Sequence, residues 1–346
     1  MVSILLSTYN RTNGFKKSLE SLVNQKVNFI NYEIIVIDNS CDKYVNENLI
    51  IFNNVKNKFY NIKFTYIHNK IISGYGFPRI QAIKNSLYDY ILPCEDDATY
   101  DSNYINAFYK SFRGNISIVV PKILQSKNDK NFTPNWINIE ENRFDVDFTL
   151  IDYGDFEKEI SKHLVFACFG FKKFDFLNSD GYGPDGFGGD YIFYNGHGEN
   201  HLSNTILNDI NKVALYNPKM IMYHEDRALR NNAMYFKSRY LFFGISDSFK
   251  SIQGNKFKKI KLIKLKIIFL TYISSITLFF NFIFPNLNIF KTNLFKSIFY
   301  KIGFLKHQYL FINDFNFKSY CTNKIWINYD FKKLKPIKSI LKSQWD

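Results

Sequence analysis

YILPCEDD, residues 90–97, sets three consecutive acids at the end of a short hydrophobic run. A short apolar run bounded by polar residues reads as a buried β-strand. Glu95, Asp96 and Asp97 would repel one another there unless something positive neutralises them.

Working outward from this strand, VSILLSTYN (2–10) is a second strand-like run, and RTNGFKKSLESLVNQ after it carries Phe15, Leu19 and Leu22 at helical spacing. YEIIVIDNS (32–40) is rich in β-branched residues and ends on Asp38, while KFTYIHN (63–69) ends near Asn69. GFPRIQAIKNSLYD (76–89) reads as a helix leading into the strand at residue 90. Strands alternating with helices predict an α/β domain with a mostly parallel sheet. In such sheets ligands bind beyond the carboxyl ends of the strands. Thr8, Tyr9 and Asn10 end the first strand, Asp38 the second, and Asp96 and Asp97 the fourth. Asp38 alone reads first as a turn or helix cap. Polar residues at three strand ends together point to a site.

Crowded carboxylates suit a hard divalent cation such as Mg²⁺ or Mn²⁺, which takes one or two protein carboxylates and completes its shell with phosphates and water. A diphosphate-bearing substrate fits that demand, and a solvated helix-start cluster is the plainer alternative. There is no GxxxxGK[ST] motif, and GYGFPR (74–79) lacks GxGxxG, so neither a P-loop nor a dinucleotide fingerprint is present.

The chain has 346 residues, is 46% hydrophobic and carries a net charge of +14. From Asp226 onward 22 Lys or Arg face 5 acids, leaving 23 bases against 26 acids in the first 225 residues. An acidic domain with a basic attachment region fits this asymmetry, and a uniformly basic nucleic-acid binder does not. Cys41, Cys94, Cys168 and Cys321 show no CxxC spacing, which argues against a zinc module or disulfide framework and suits a reducing cytoplasm. MVSILLSTYN lacks the basic leader and cleavage site of a signal peptide.

KFKKIKLIKLK (256–266) sets six lysines among apolar residues, and residues 267–284 then run uncharged to Pro285. KTNLFKSIFYKIGFLKHQYLF (291–311) mixes lysines with aromatics in the manner of an interfacial helix. Peripheral attachment to an anionic membrane surface leads here; a transmembrane helix and a buried helix pair are the alternatives. Lysines beside the apolar run place the protein on the cytoplasmic face of the plasma membrane.

Four stretches together resemble the family 2 glycosyltransferases, inverting enzymes with the GT-A fold: VSILLSTYNR (2–11), YEIIVIDNSCD (32–42), GYGFPRIQAIKNSLYDYILPCEDD (74–97) and FGGDYIFYNGHGENHLSNTI (187–206). The resemblance implies a GT-A, Rossmann-like catalytic domain with a nucleotide-sugar half over 1–105 and an acceptor half over 106–228. A basic, hydrophobic, mainly helical region follows over 229–346. It further implies that Thr8, Tyr9, Asn10, Arg11, Asp38, Ser40, Arg79 and Asp96 bind the nucleotide-sugar, with Asp38 on uracil or ribose and Arg79 near the diphosphate. Asp96 and Asp97 match the acidic metal motif, His224 matches a histidine that completes the metal shell, and Mn²⁺ or Mg²⁺ is the implied cofactor. Cys94 stands where the commoner DxDD form has its first Asp.

YNGHGEN (194–200) resembles the GWGGED-like segment of galactosyl- and N-acetylgalactosaminyl-transferring relatives. A carboxylate at Glu199, at a helix start, can take the proton of an attacking hydroxyl. Asn200 occupies the position of the usual catalytic Asp, so Glu199, or else Asp190, is expected to serve as base. His197, Glu199 and Asn200 are the expected acceptor-binding residues. The expected activity is transfer from a UDP-sugar to a glycan or lipid-linked acceptor in bacterial surface polysaccharide, capsule or lipo-oligosaccharide synthesis, with no nucleic-acid partner. A degenerate, membrane-bound assembly partner and a sugar-nucleotide nucleotidyltransferase are the rivals.

Overall fold

A computed structural model of the chain describes residues 1–27, 31–69, 76–126, 143–145, 149–165, 168–183, 198–224, 232–257, 260–287, 289–323 and 325–328. Two compact units emerge, one from Met1–Gly183 with Glu199–Ala228, the other containing Leu229–Asp346.

The first unit opens with β1 (Val2–Thr8), α1 (Thr12–Val23), β2 (Tyr32–Asp38), α2 (Asp42–Lys58) and β3 (Lys63–His68). It continues with α3 (Gly76–Asn85), β4 (Tyr90–Glu95), the short β5 (Ala98–Tyr100), α4 (Tyr104–Ser111) and β6 (Ile116–Gln125). Strands β1 and β2 are buried along almost their whole length, which is why they read as continuous apolar runs and not as alternating ones. In α1, Phe15, Leu19 and Leu22 face the core as their spacing predicts. Helix α2 has no counterpart in the sequence reading. Its asparagines obscure a buried stripe of Val45, Asn48, Phe52 and Val55 that repeats at helical spacing.

Short strands β7 (Arg143–Asp145), β8 (Leu150–Asp152), β9 (Lys158–Ile160) and β10 (Gly170–Lys172) follow, then α5 (Lys173–Leu177), α6 (Gly198–Ile206) and the long β11 (Val213–His224). Among the described residues these strands form one eleven-stranded sheet whose main path runs β3-β2-β1-β4-β10-β6-β11-β5. Pairs β1–β2, β2–β3, β1–β4 and β6–β11 are parallel, whereas β10 runs antiparallel between β4 and β6. The sheet is therefore mixed, with a mostly parallel centre. Strand order reverses on either side of β1, and such a switch point opens a crevice beyond the strand ends.

The second unit is helical: α7 (Ala233–Gln253), α8 (Ile263–Ile283), α9 (Asn293–Asn313) and α10 (Phe315–Thr322). Helix α9 corrects its reading as an interfacial helix. Phe295, Ile298, Phe299, Ile302 and Leu305 form a buried stripe, so its aromatics belong to the unit's core. It crosses α7 at two glycines: a Cβ on Gly244 would collide with the Tyr300 carbonyl, and one on Gly303 with the Leu241 carbonyl. Gln253 Nε2 donates to the carbonyls of Cys321 and Asn323, both at 2.6 Å, tying α7 to the end of α10.

Helix α8 behaves oppositely. Ser274 is its one buried residue, while Ile268, Phe269, Tyr272, Phe279 and Phe282 are all at least 60% exposed. By length and composition α8 is apolar enough to cross a membrane. The alternative of a buried helix pair over this segment is thereby corrected.

Candidate active site

Register assembles the crevice. Parallel pairing sets Thr8 beside Asp38 and Ser7 beside Glu95, so the polar ends of β1, β2 and β4 lie together. Antiparallel pairing of β5 with β11 sets His224 opposite Ala98 and so next to the acidic turn. Helix α1 closes against the same turn: a Cβ on Gly14 would collide with the Asp96 carbonyl.

Asp96 and Asp97 take different roles despite being adjacent. Asp96 Oδ2 accepts from Thr8 Oγ1 at 2.8 Å and from the Tyr9 amide at 3.1 Å. Asp97 Oδ1 faces His224 Nε2 at 3.6 Å. Arg11 Nη1 lies 3.0 Å from Asp97 Oδ2 and 3.6 Å from Asp96 Oδ1, so the expected nucleotide ligand Arg11 is the cation that here balances the acid pair. Burial pushes Asp96 up to about 7, with Arg11 opposing.

The donor set fits a divalent ion. The 3.6 Å between Asp97 Oδ1 and His224 Nε2 is less than twice a metal–ligand bond of about 2.1 Å, so one ion can touch both. Among the described residues no group of three or more His, Cys, Asp or Glu converges on such a point. Two protein ligands with the rest left to substrate phosphates and water is the pattern hard, phosphate-associated ions prefer.

Glu199, in the first turn of α6, is also buried. Arg79 of α3 reaches it from Nη1 at 3.1 Å and reaches Glu95 from Nη2 at 3.3 Å, while its Nε donates to Ser7 Oγ at 3.2 Å. The Arg79 side chain is 1% exposed, so the residue expected beside the diphosphate is enclosed between carboxylates. Burial pushes Glu199 up to about 7; Glu95 adds to the rise, and Arg79 and the Cys168 amide oppose it. A carboxylate poised there can take a proton at neutral pH.

The rim is built by two interlocked loops. Asn10, at φ 53°, donates its amide to Ser40 Oγ at 2.8 Å, and its side-chain oxygen accepts from the Cys41 amide at 3.0 Å. Asp38 is fully buried. It accepts from the Ser40 amide at 2.7 Å, from Asn48 Nδ2 at 2.8 Å and from the Tyr66 hydroxyl. Its carboxylate shapes the loop after β2. Asn200 lies on α6, where its carbonyl accepts from Ser203 Oγ at 3.2 Å. Asp190 and His197 lie outside the described residues.

Three further contributors stand outside the residues expected at the site. Glu95 pairs with Arg79, Tyr182 packs its ring 5.8 Å from Arg79, and Cys168 offers its amide to Glu199 from a left-handed φ of 52°. Only Glu95 carried a signal, namely a third acid at a strand end. The other two are set by tertiary placement.

Comparison with known proteins agrees with this architecture. A family model described as glycosyl transferase family 2 matches residues 3–177, just over half of the chain. A poly(ribitol-phosphate) beta-glucosyltransferase of Bacillus spizizenii is 32% identical over 117 residues, which is 34% of this chain and 18% of that protein. WcaA of Escherichia coli K12, assigned to colanic acid biosynthesis as a glycosyl transferase, is 30% identical over 108 residues, 31% of this chain and 36% of its own. The matched region thus spans well under half of either relative. Among solved structures, the mannosyltransferase PcManGT from Pyrobaculum calidifontis, in complex with GDP-Man and Mn²⁺, superposes with a TM-score of 0.52 at 13% identity, over 75% of this chain and 65% of that one. At that identity the likeness is one of fold.

Proposed function

The chain belongs to glycosyl transferase family 2, and from that premise we propose that it is an inverting enzyme that moves a sugar from a nucleotide-sugar to a glycan or lipid-linked acceptor in bacterial surface polysaccharide assembly. The observation that carries this reading is the meeting, at one strand-end crevice, of the Asp96–Asp97 pair with His224 and of Glu199 with Arg79. The first group suits a diphosphate-bearing donor and the second suits an attacking hydroxyl.

Asp97 and His224 would hold Mn²⁺ or Mg²⁺, which when bound supplies positive charge to the leaving diphosphate. Thr8 and the Tyr9 amide orient Asp96 behind that pair. Asn10 and Ser40 line the nucleoside side, on a loop that Asp38 braces. Glu199 takes the proton of the acceptor hydroxyl as its oxygen bonds the anomeric carbon. The carbon–oxygen bond to the diphosphate breaks on the opposite face, its electron pair leaves with the nucleotide, and the configuration inverts. Arg79 orients the base from behind; its enclosure supports that role over direct contact with the diphosphate. Asp190 and the acceptor residues His197 and Asn200 complete the proposed site.

UDP-galactose and UDP-N-acetylgalactosamine head the donors to test, on the resemblance of the GHGEN segment. UDP-glucose and GDP-mannose follow, after the names of the glucosyltransferase and the mannosyltransferase. We also assign the protein to the cytoplasmic face of the membrane, held peripherally by the exposed apolar surface of α8 and the lysines before it.

The deciding experiment is calorimetric titration of UDP into the protein with and without Mn²⁺, repeated on Asp97→Ala. Metal-dependent binding that the substitution abolishes is expected. Absence of binding under both conditions, with GDP as with UDP, overturns the mechanism. A second reading, donor binding without turnover, draws on Asn200 in place of the usual catalytic Asp. UDP binding with no sugar transfer from any of the four donors selects it.

A further inference from the structure

Glu95 has no part in the reactions above, yet it is tied to the group that holds the base. Parallel pairing with β1 fixes its backbone beside Ser7. Its Oε1 meets Arg79 Nη2 at 3.3 Å, while Nη1 of the same guanidinium meets Glu199 Oε1 at 3.1 Å and Nε reaches Ser7 Oγ. Tyr182 packs beside the guanidinium. All three nitrogens of a planar, always-charged fork are thus assigned, each to a different residue, and one cation is shared by two acids.

This sharing has a chemical consequence. A guanidinium bound only to Glu199 is free to turn and grip both carboxylate oxygens in the bidentate fork that arginine and carboxylates prefer. That grip would draw electron density from the oxygens that must take a proton. With Nη2 held by Glu95, Arg79 presents only Nη1 to Glu199. The base is thus oriented by one guanidinium nitrogen and not clamped by two.

We propose that Glu95 is a positioning residue for the transfer reaction, holding Arg79 so that it orients Glu199 through one nitrogen instead of clamping it through two. The assignment rests on the reading of Glu199 as the base. Its sequence neighbours Asp96 and Asp97 face Arg11 and His224, so the two halves of the acid run serve different groups.

The test is Glu95→Gln, with Glu95→Asp as a variant that keeps the charge at shorter reach. Sugar release with Mn²⁺, from whichever of the four donors the parent protein turns over, gives kcat and KM. Carboxyl ¹³C resonances of glutamate-labelled protein, with that of Glu199 assigned by its loss in Glu199→Gln, give the titration of the base without any substrate. Glu95→Gln is expected to lower kcat about tenfold or more with KM and UDP affinity unchanged within about twofold. It should also move the Glu199 titration to lower pH, and Glu95→Asp should recover part of both. An unmoved titration with unchanged kcat overturns the proposal. So does a loss fully accounted for by weaker UDP–Mn²⁺ binding, which would make Glu95 part of the donor site. Should Glu199→Gln itself keep full turnover, the base assignment fails, while a titration shift in Glu95→Gln would still register the Arg79 coupling.

Discussion

The two units violate the ordinary partition of side chains in opposite directions. The sheet unit buries charge: Arg79, Asp96, Asp97 and Glu199 are each at most 9% exposed. The helical unit exposes hydrocarbon, with Phe282 at 83% and Tyr272 at 66% on α8. Each choice is unfavourable in a chain that only has to fold, since buried ions lose hydration and exposed apolar patches order water. A buried charge that persists is paired, and its pairing shows what it awaits. An exposed apolar helix persists when something other than water covers it. Under the proposed function the two units would meet different partners, a phosphorylated polar substrate at one and a lipid surface at the other.

The strongest break in this comparison is Glu199→Gln. The substitution keeps the shape and the contact with Arg79 but removes the proton acceptor, so turnover should fall by about 10²–10⁴ while UDP–Mn²⁺ binding persists. Sugar-release kinetics alongside UDP calorimetry read both halves. Parallel loss of binding would mean that Glu199 serves the donor and not the reaction.

How far the sequence foretold the site follows from the same contrast. Strand ends are local features, and Thr8, Asp38 and Asp96 were found because apolar runs stop at them. Glu199 was legible as the acid at a helix start. The partners of these residues were not. Arg79 meets Glu199 across 120 positions, and nothing in residues 74–79 announces that its guanidinium turns inward. Helix α2 was missed because asparagines mask its apolar stripe. Helix α9 was misjudged because lysine and phenylalanine in alternation suit an interface and a helix core with snorkelling edges equally well. Composition separated the two units, but only packing distinguishes the exposed α8 from the buried α9.

Phe282→Asp sharpens the lipid side. A fully buried phenylalanine contributes about 1.5–3 kcal/mol, so removing one from a membrane contact should weaken partitioning into anionic vesicles about tenfold or more. Because Phe282 is exposed in the folded chain, the melting temperature should hold. A vesicle-sedimentation assay beside a thermal melt separates these outcomes. Lost stability with unchanged partitioning would mean that α8 packs on protein.

Gly303→Ala tests the core beneath that surface. The added methyl meets the Leu241 carbonyl, backbone that cannot swing aside, and overpacking of this kind costs about 1–3 kcal/mol. The helical unit's unfolding transition should move down by several degrees, with UDP binding by the sheet unit unchanged. A melt identical to the parent would mean that α7 and α9 can part at no penalty, contrary to their close crossing.

The pH dependence of stability is the test most diagnostic of buried charge. Asp96 and Glu199 are each pushed up to about 7 by burial, well above their values in an unfolded chain near 4. A raised acid stabilises the fold fully below its unfolded value, and that contribution is lost as pH climbs through the folded one. The ligand-free protein should therefore melt progressively lower from pH 5 to pH 8, levelling off above about 7. Mn²⁺ with UDP should raise the melting temperature more at pH 8 than at pH 5, because a cation binds the charged acids and the neutral His224 best. Differential scanning calorimetry across that range reads the sign directly. A melting temperature that instead rises with pH would mean that Arg11 and Arg79 overcompensate their acids, and the sheet unit would then hold ion pairs complete in themselves, awaiting no ligand.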